Sequence, residues 1–437
     1  MANHSLNVFD ADALVATLDY QSLEEQFALR YTAEWIDASS SYSISPHIPL
    51  KGPAASSSTI RRFIENLLPE GRALDIVSTT YQISRNNLYG FIRELGQETA
   101  GALSFFPDDA PPSTHSEKRE VTHQELATRI AERATLPFTV WDGRVRMSIA
   151  GYQDKLSVYI EQDRLYLVSG ELASTHILKP EPQDERLAKL VANEHYCMTL
   201  AARIGVPTAD VSILRLPSPV LVIKRFDRVA EHGTVRCRHI IDACQALNFP
   251  VSYKYERNFG SGRDVRDVRE GVSFQRLVSI AEYAVEKALM RLSLVRWALF
   301  QFLIGNADAH GKNVSFFCAP QGLALAPFYD LVSVVQYPHV AHELAMGFGD
   351  EFVIENVRAY DLAMFAKRTG TPRALLVREM RRMAKAAISA APKLAAADFY
   401  SDDEREVVRN ICSGVQERAA SLGEMAGRVL EVEEEPL

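Results

Sequence analysis

Apolar and polar positions along the chain follow helical spacing in some segments and alternate strictly in others. Residues 285–304 are rich in Leu, Ala, Val, Phe and Trp, contain neither Pro nor Gly, and are followed by Gly305. Because glycine commonly stands just past the last turn of a helix, this segment predicts a long, mostly buried helix that ends before Gly305. Apolar residues at helical spacing from 184 to 204 predict a second helix.

Alternating segments predict strands in two parts of the chain. Residues 144–149 and 156–160 alternate on either side of a short interruption. Residues 164–168 alternate as well, ahead of an apparent strand end at 176–180. The segment 314–326 consists of two apolar stretches around a turn that contains Pro and Gly, and it predicts a hairpin.

Composition is typical of a globular protein with more than one core. The chain has 437 residues, of which 47% are hydrophobic and 24% charged, enough to bury two or three cores. The net charge of −8 argues against broad nucleic-acid affinity of the chain alone. The polar N-terminus argues against a signal peptide. The charged residues within 285–304 argue against a membrane span, so we expect a cytoplasmic protein. Five scattered cysteines without a C-x-x-C pair favour reduced thiols over a zinc site or a disulfide framework.

Breaks in these patterns divide the chain into three expected regions of an α+β protein. The run 107–114, rich in Pro, Asp, Ser and Thr, predicts a linker. It ends an N-terminal subdomain, residues 1–112, and precedes a strand-rich small lobe, residues 113–228. Within that lobe, Thr122 is the expected cap of a short helix. In the large lobe, residues 229–437, helices are expected to dominate apart from the hairpin.

The strongest indication of chemistry is the loop 305–313 together with Asp330, which follows the predicted hairpin. Protein kinases use the same order of a loop Asp beside the substrate hydroxyl, a loop Asn on magnesium and a later Asp on magnesium. Magnesium prefers oxygen ligands, so Asn313 and Asp330 are candidate metal ligands. Asp308 is then the candidate catalytic base. The alternative interpretation is a polar turn that joins two elements.

Residues beside this set extend the candidate site. His310 and Lys312 could support the loop or touch phosphate, and Tyr329 is a candidate nucleotide-binding residue. Lys179, at the predicted strand end, could reach the α- and β-phosphates of a nucleotide. Glu194 falls on the apolar stripe of the helix predicted at 184–204, where an unpaired carboxylate is costly. A Lys179–Glu194 ion pair would explain both the lysine at the strand end and the glutamate on the apolar stripe. The alternative is that Glu194 lies at the edge of the stripe and reaches water.

The interruption between the strands at 144–149 and 156–160 is the candidate cover of the phosphates. It lacks the glycine pattern of eukaryotic protein kinases and of P-loop enzymes, so an ordinary hairpin turn is the alternative. Its candidate nucleotide-binding residues are Ala150, Gly151, Tyr152, Gln153, Asp154 and Lys155.

The ordered motifs resemble those of the HipA-type toxin kinases. Residues 148–155 are similar to the S-I-A-G-x-Q-x-K segment of that family, and residues 305–313 and 327–330 are similar to its loop motifs. Other similar stretches lie at 63–71, 101–103, 177–180, 193–196, 224–228, 244–247 and 254–256. The resemblance implies a two-lobed, protein-kinase-like fold with an extra N-terminal subdomain and a mostly helical C-terminal lobe.

The resemblance also implies a function. Members of that family are serine/threonine protein kinases that act as toxins and are restrained by a small DNA-binding antitoxin. The best-known type phosphorylates glutamyl-tRNA synthetase. ATP and Mg²⁺ would then be the cofactors and a protein the substrate. Operator DNA would be reached only through the antitoxin, with which the kinase could co-repress its operon.

Residue roles come from the same resemblance. The residues that match the hinge, whose backbone would meet adenine, are Lys224, Arg225 and Phe226. Ser148 matches a serine whose autophosphorylation displaces the phosphate loop and switches the kinase off. A phosphate adds nearly two negative charges beside an anionic ligand, so repulsion gives this switch a physical basis. The alternative is a strand-end hydroxyl without a regulatory role.

A basic helix face is the remaining candidate interaction site. After Thr371 and Pro372, an expected helix start, the basic residues Arg378, Arg381, Arg382 and Lys385 recur on one face. This face could touch operator DNA in a complex with an antitoxin, or it could be a solvated surface.

The motif spacing predicts an ATP-dependent kinase, and the resemblance implies a serine/threonine protein kinase that acts as a toxin. Two other functions share parts of the pattern. A small-molecule kinase would use the same Asp/Asn/Asp set but would need a closed pocket. A catalytically silent co-repressor would only bind an antitoxin and DNA, and the intact candidate catalytic residues argue against it.

Overall fold

Strand-rich and helix-rich segments both occur, as the alternating and helical patterns predict. The computed structural model describes residues 3–109, 116–146, 153–231 and 234–433. The strands are β1 (Asn3–Asp10), β2 (Ala13–Gln21), β3 (Gln26–Tyr31), β4 (Leu103–Pro107), β5 (Glu117–Val121), β6 (Val140–Trp141), β7 (Arg144–Val145), β8 (Leu156–Glu161), β9 (Arg164–Ser169), β10 (His176–Pro180), β11 (Val211–Leu214), β12 (Val220–Lys224), β13 (Arg228–Glu231), β14 (Thr234–Cys237), β15 (Ile240–Asp242), β16 (Ser315–Ala319), β17 (Gly322–Leu325), β18 (Glu343–Phe348) and β19 (Glu351–Val353).

The longest helices lie in the C-terminal half of the chain. They are α1 (Ala33–Asp37), α2 (Ser57–Leu67), α3 (Gly71–Tyr81), α4 (Leu88–Leu95), α5 (His123–Glu132), α6 (Leu190–Arg203), α7 (Ala243–Ala246), α8 (Phe274–Ser279), α9 (Lys287–Ile304), α10 (Ala359–Thr369), α11 (Arg373–Ala395) and α12 (Asp402–Arg428). Among the described residues, no helix combines the length and the apolar character needed to span a membrane.

Contacts within the chain define two units. The first contains Met1–Glu181, Ser212–Val251 and Ser315–Ala326. The second contains Pro182–Val211, Ser252–Val314 and Pro327–Leu437. The hairpin β16–β17 belongs to the first unit, although the chain on either side of it belongs to the second.

The first unit contains two larger sheets. The N-terminal sheet has the order β3-β2-β1-β4, and the larger sheet has the order β11-β12-β10-β8-β9-β5. Strand β10 lies inside the larger sheet, where Leu178 belongs to an apolar cluster with Leu156, Val158 and Val220. Because side chains alternate along a strand, Lys179 lies on the face opposite that cluster.

A buried polar cluster links the N-terminal residues to β15 within the same unit. Tyr42 donates a hydrogen bond to Asp10 Oδ2 at 2.6 Å and stacks on the ring of His239, with centroids 5.2 Å apart. His239 Nε2 lies 2.9 Å from the carbonyl oxygen of Ile44. A carbonyl only accepts, so Nε2 carries the proton. Burial lowers the pKa of His239 to about 4, which keeps the ring neutral.

The second unit is built around helix α9. Trp297 and Phe300 are fully buried, as the run of apolar residues predicts. Helices α8, α11 and α12 pack against α9. Glu379 of α11 is buried and pairs with Arg296 of α9 at 2.9 Å. Burial raises the pKa of Glu379, but hydrogen bonds from Arg296 and Arg382 outweigh that effect and hold the pKa below its ordinary value.

Several predicted elements are confirmed with small changes in their bounds. The long helix occupies Lys287–Ile304, and the predicted hairpin is β16–β17. Thr122 caps α5 by accepting the N–H of Glu125. At α11, Pro372 is the N-cap and Arg373 the first helical residue, one position later than predicted.

The helix predicted from 184 to 204 is wrong at its start. Helix α6 begins at Leu190 because Lys189 adopts a left-handed conformation with φ of 62°. Glu185–Leu187 form a separate 3-10 turn, so Leu187 does not belong to the apolar stripe of α6.

Two strand predictions also need correction. The region after residue 229 contains more sheet than expected, because β13 pairs with β14 and β18 pairs with β19. The described part of the strand predicted at 144–149 is β7, which pairs with β6 in a separate two-stranded sheet. The rest of that predicted strand lies outside the described residues.

The buried, neutral His239 predicts a specific loss of stability in acid. Its pKa is lowered from 6.5 to about 4 in the folded state, so unfolding takes up a proton between these values. The contribution of neutral His239 to folding stability is complete above the unfolded pKa of 6.5, and it decreases as the pH falls from 6.5 towards 4. By about pH 5 the linkage predicts a loss of about 2 kcal/mol.

Urea unfolding of the wild type and of His239→Gln at about pH 7 and about pH 5 tests this linkage. Glutamine keeps a donor for the Ile44 carbonyl but does not titrate. Carboxylates titrate in both proteins, so their effect cancels in the comparison. The wild type should lose more stability than the variant, and an equal loss would contradict the prediction.

Candidate active site

Helix α9 precedes the candidate catalytic loop, and Gly305 is its C-cap. Gly305 has φ of 68°, a left-handed conformation that glycine adopts without strain. A Cβ at this position would lie 2.5 Å from the side chain of Val335, so a larger residue would displace its neighbour. Arg418 of α12 donates to the carbonyl of Leu303 at 2.9 Å and holds the last turn of α9.

Hydrogen bonds on both sides fix the backbone of Asp308. The N–H of Asp308 donates to Asn306 Oδ1 at 3.0 Å, and Asn306 Nδ2 donates to Gln301 Oε1 at 2.9 Å. The N–H of His310 donates to the Asp308 carbonyl at 2.9 Å. The Asp308 side chain is exposed, as a base that meets a substrate hydroxyl requires. Sequence reasoning missed the supporting role of Asn306, for which an Asn at the start of a turn was a weak signal.

Asn313 and Asp330 approach each other after the chain returns from the hairpin β16–β17, as predicted. The Nδ2 atom of buried Asn313 lies 3.4 Å from Asp330 Oδ2 and 3.3 Å from the carbonyl oxygen of Asp308. Asp330 has φ of 59°, a left-handed conformation that is uncommon for a residue with a Cβ. The structure therefore brings together all three residues of the predicted Asp/Asn/Asp set.

Hydrogen bonds before and after Asp330 hold its segment in place. The N–H of Ala209 donates to the Phe328 carbonyl at 2.9 Å. The N–H of Ser333 donates to Asn193 Oδ1 at 2.8 Å, and Asn193 Nδ2 donates back to the Ser333 carbonyl at 3.0 Å. Asn193 of α6 thus fixes the segment that follows Asp330. The motif at 193–196 contains this residue, but its role could not be deduced without the fold.

The segment around Tyr255 contacts the catalytic loop directly. The Tyr255 hydroxyl donates to Asp308 Oδ1 at 2.6 Å. Its ring meets His310 edge-on, with centroids 5.2 Å apart and planes at 89°. The N–H of Gly311 donates to the Lys254 carbonyl at 2.9 Å. No sequence pattern indicated the contact between Tyr255 and Asp308.

Lys312 and Tyr329 also meet in the loop. Lys312 is buried, and its carbonyl accepts the Tyr329 hydroxyl at 2.6 Å. Tyr329 therefore supports the loop, and the nucleotide contacts expected of His310, Lys312 and Tyr329 stay predictions.

The candidate phosphate contacts of the first unit are described only in part. Lys179 is half-buried on β10, and Lys155 is buried just before β8. Gln153 and Asp154 are half-buried. The remaining loop candidates and the candidate phosphorylation site lie outside the described residues, namely Ser148, Ala150, Gly151 and Tyr152.

Glu194 is buried in α6, as its place among apolar residues predicts. It belongs to the second unit, whereas Lys179 belongs to the first. The Lys179–Glu194 ion pair stays a prediction.

The candidate hinge ends in a buried charge cluster. Arg225 Nη2 and Arg228 Nη1 each lie 2.7 Å from Asp227 Oδ2. Burial raises the pKa of Asp227, but the two guanidinium groups outweigh it and hold the pKa well below its ordinary value. The N–H of Gly101 donates to the same carboxylate at 3.0 Å. The Gly101 carbonyl accepts from Arg228 at 2.9 Å.

The hydrogen bonds of this cluster occupy groups of Arg225 that could otherwise bind a nucleotide. Its side chain is bound to Asp227, and its N–H donates to the Thr175 carbonyl at 2.9 Å. Lys224 ends β12 and is exposed, and Phe226 packs against Phe317. The adenine contact expected of residues 224–226 stays a prediction.

Two residues of the basic face on α11 are engaged within the second unit. Arg382 is half-buried and donates to Glu379 at 2.8 Å and to the Ile204 carbonyl at 3.0 Å. Arg378 lies 3.5 Å from Glu379. Arg381 and Lys385 are exposed, and DNA contact by this face stays a prediction.

Comparison with known families matches both parts of the chain. The model of the HipA-like C-terminal domain matches residues 147–392, and that of the HipA N-terminal domain matches residues 6–106. The chain belongs to the HipA family. The serine/threonine-protein kinase toxin HipA of Shewanella oneidensis is 41% identical over 87% of this chain and 87% of that protein. A protein of Sinorhizobium fredii named as a candidate kinase, Y4mE, is 30% identical over 86% of this chain and 89% of its own length.

A solved structure of a HipA protein agrees with the fold. The Shewanella oneidensis structure of HipA with HipB and operator DNA superposes with a TM-score of 0.90 and 38% identity. The match covers 98% of this chain and 100% of that chain. These relationships confirm the predicted HipA-type serine/threonine kinase and its kinase-like α+β fold.

The close approach of Gly311 to Val272 predicts a compensating pair of substitutions. A Cβ at Gly311 would lie 2.6 Å from Val272 Cγ2, so Gly311→Ala should displace the loop that holds Asp308 and Asn313. A displacement of this kind should slow phosphoryl transfer roughly 10- to 100-fold. It should also lower the melting temperature.

Val272→Ala opens space at this contact, although alone it leaves a cavity. In the Gly311→Ala/Val272→Ala protein the new methyl fills that space. The losses of stability and of transfer rate in the double variant should therefore be smaller than the sum of the losses in the two single variants. Melting temperature and label transfer from ATP measure this coupling. Strict additivity would show that the contact does not constrain the loop.

Proposed function

We propose that this HipA-family kinase transfers the γ-phosphoryl group of ATP to a serine or threonine hydroxyl of a protein. Asp308 accepts the hydroxyl proton, the hydroxyl oxygen bonds to the γ-phosphorus, and the bond to ADP breaks. The carrying observation is the convergence of Asp308, Asn313 and Asp330, with Asn313 bonded to both of the others. The exposed carboxylate of Asp308 supports a hydroxyl donor that arrives from outside.

The side chains of Asn313 and Asp330 fit a magnesium ion. They offer an amide and a carboxylate oxygen, and their side-chain ends are 3.4 Å apart. The Asn313 atom that faces Asp330 is the amide nitrogen Nδ2, so turning the amide over would present its oxygen beside the Asp330 carboxylate. Bound Mg²⁺ would neutralise charge on the phosphates of ATP. The left-handed backbone of Asp330 keeps its carboxylate directed towards Asn313, which supports a functional reason for this conformation.

Residues of the first unit are also proposed to bind the nucleotide. The position of Lys179 opposite the apolar cluster supports a role at the phosphates, with Glu194 as its partner. Lys155 and the backbone of residues 150–154 would cover the phosphates. The backbone of residues 224–226 would meet adenine.

Regulation and partners follow from the family. Phosphorylation of Ser148 would place charge beside the phosphates and switch the kinase off. The Shewanella oneidensis relative was solved with HipB and operator DNA, which supports a small DNA-binding antitoxin as partner of this chain and operator DNA through it. Arg381 and Lys385 are the exposed basic residues that could touch that DNA. Glutamyl-tRNA synthetase is the candidate substrate.

Labelled ATP, Mg²⁺ and cell extract test the proposed reaction. The wild type should label a protein band, and Asp308→Asn should reduce labelling roughly 10²- to 10⁴-fold because the base is lost. Asp12→Asn, which changes an exposed carboxylate in the turn between β1 and β2, is the matched control and should keep full activity. Labelled metabolite without labelled protein would show a small-molecule kinase. No transfer at all would show a silent binding protein.

Magnesium titration tests the metal ligands separately. Asp330→Asn should raise the Mg²⁺ concentration that gives half-maximal transfer by roughly tenfold or more. Asp12→Asn should not change it. An unchanged Mg²⁺ requirement in Asp330→Asn would contradict the proposed ligand.

A further inference from the structure

Tyr255 makes the shortest contact with the side chain of the proposed base. Its hydroxyl lies 2.6 Å from Asp308 Oδ1. A carboxylate only accepts, so the phenol is the donor. The separation is in the range of charge-assisted O–H···O⁻ hydrogen bonds, which are stronger than neutral ones.

The Asp308 carboxylate depends on this bond for its orientation. Hydrogen bonds from Asn313 and His310 reach the Asp308 carbonyl, and Asn306 receives the N–H. These bonds fix the backbone but leave the side-chain torsions open. Among the described residues, Tyr255 supplies the hydrogen bond that reaches the carboxylate itself.

The backbone on both sides of Tyr255 is tied to the catalytic loop. Ahead of it, the Lys254 carbonyl accepts the N–H of Gly311 at 2.9 Å. Behind it, the N–H of Glu256 donates to the Ala345 carbonyl at 2.9 Å, and the N–H of Ala345 donates to the Ala307 carbonyl at 2.9 Å. Tyr255 is therefore mounted on the same hydrogen-bonded framework as the residue it contacts.

An ion pair between buried Glu256 and Arg269 holds the segment that carries Tyr255. Arg269 Nε donates to Glu256 Oε1 at 2.7 Å, and the N–H of Gly347 donates to Glu256 Oε2 at 2.8 Å. Both carboxylate oxygens of Glu256 are thus bonded, and the side chain is buried. This anchoring fixes the backbone of Tyr255, and the edge-on contact of its ring with His310 restrains its side chain beside Asp308.

We infer that Tyr255 is a positioning residue for Asp308. Its hydroxyl holds one carboxylate oxygen so that the other is presented to the substrate hydroxyl. The inference rests on the proposed role of Asp308 as the base. In the reaction, Tyr255 keeps its own proton, and the proton of the substrate passes to Asp308.

Tyr255→Phe removes the hydroxyl and keeps the ring. The initial rate of label transfer from ATP to the acceptor protein in extract is measured over an extract dilution series, with ATP affinity measured in parallel. The maximal rate should fall roughly 10- to 100-fold because the base is no longer aligned. The acceptor concentration that gives half-maximal rate and the dissociation constant of ATP should both stay within about twofold of the wild-type values, because neither depends on the base alone.

Tyr253→Phe is the matched control. Tyr253 donates to Glu270 at 3.2 Å, so this variant also removes a bond between a tyrosine and a carboxylate from the same segment. It should keep the wild-type maximal rate. A similar loss in both variants would show a general structural effect and overturn the inference.

Asp308→Asn, measured alongside, separates this inference from the proposed function. If Asp308→Asn retains transfer, the proposed base is wrong. If Asp308→Asn is inactive and Tyr255→Phe is as fast as or faster than the wild type, the base stands and the positioning role is overturned. A slow Tyr255→Phe beside an active Tyr253→Phe supports the inference.

Discussion

The candidate catalytic loop depends on hydrogen bonds from backbone outside the loop. Between Gly305 and Asn313 the regular structure is one short 3-10 turn at Gly311–Asn313, so bonds within the loop are supplemented by bonds from outside it. Ala345 of β18, Lys254 and Val334 bond to loop backbone groups and define its path. This framework fixes the backbone of Asp308, and the Tyr255 hydroxyl contacts its exposed carboxylate. Precise placement of reacting groups contributes much of the rate in phosphoryl transfer, which makes the framework part of the catalyst.

Buried ion pairs hold the elements that carry this framework. Glu256 with Arg269 and Glu379 with Arg296 are buried on the carboxylate side and lie away from the reacting groups. Burying a charge is costly, but removing one partner of such a pair typically costs about 3–5 kcal/mol because the other is left unpaired. These pairs therefore define which arrangement of helices and strands is accessible. Since buried ion pairs add little net stability relative to apolar residues, we expect these pairs to act mainly on the specificity of packing.

The sequence predicted the parts of the site whose signals are local. The apolar run before Gly305, the hairpin and the Asp/Asn/Asp order together predicted that Asn313 and Asp330 approach each other. The contact between Tyr255 and Asp308 joins residues 53 positions apart, and no periodicity reports such a pair. The start of α6 was misjudged because the left-handed turn at Lys189 interrupts a pattern that is still apolar at helical spacing. The strands β18 and β19 are short and lie among helices, so their alternation is too brief to distinguish them from helix.

The cluster around Asp227 has a consequence for how such proteins can be recombined. The Asp227 carboxylate accepts hydrogen bonds from Arg225 and Arg228 and also from the backbone N–H of Gly101 in the N-terminal region. Gly101 has φ of 89°, and a Cβ there would lie 2.8 Å from the backbone nitrogen of Ile240, so this junction has no spare room. The N-terminal region is therefore not an interchangeable module. A chimera that joins the N-terminal region of one relative to the kinase of another has to inherit both sides of this junction from the same parent.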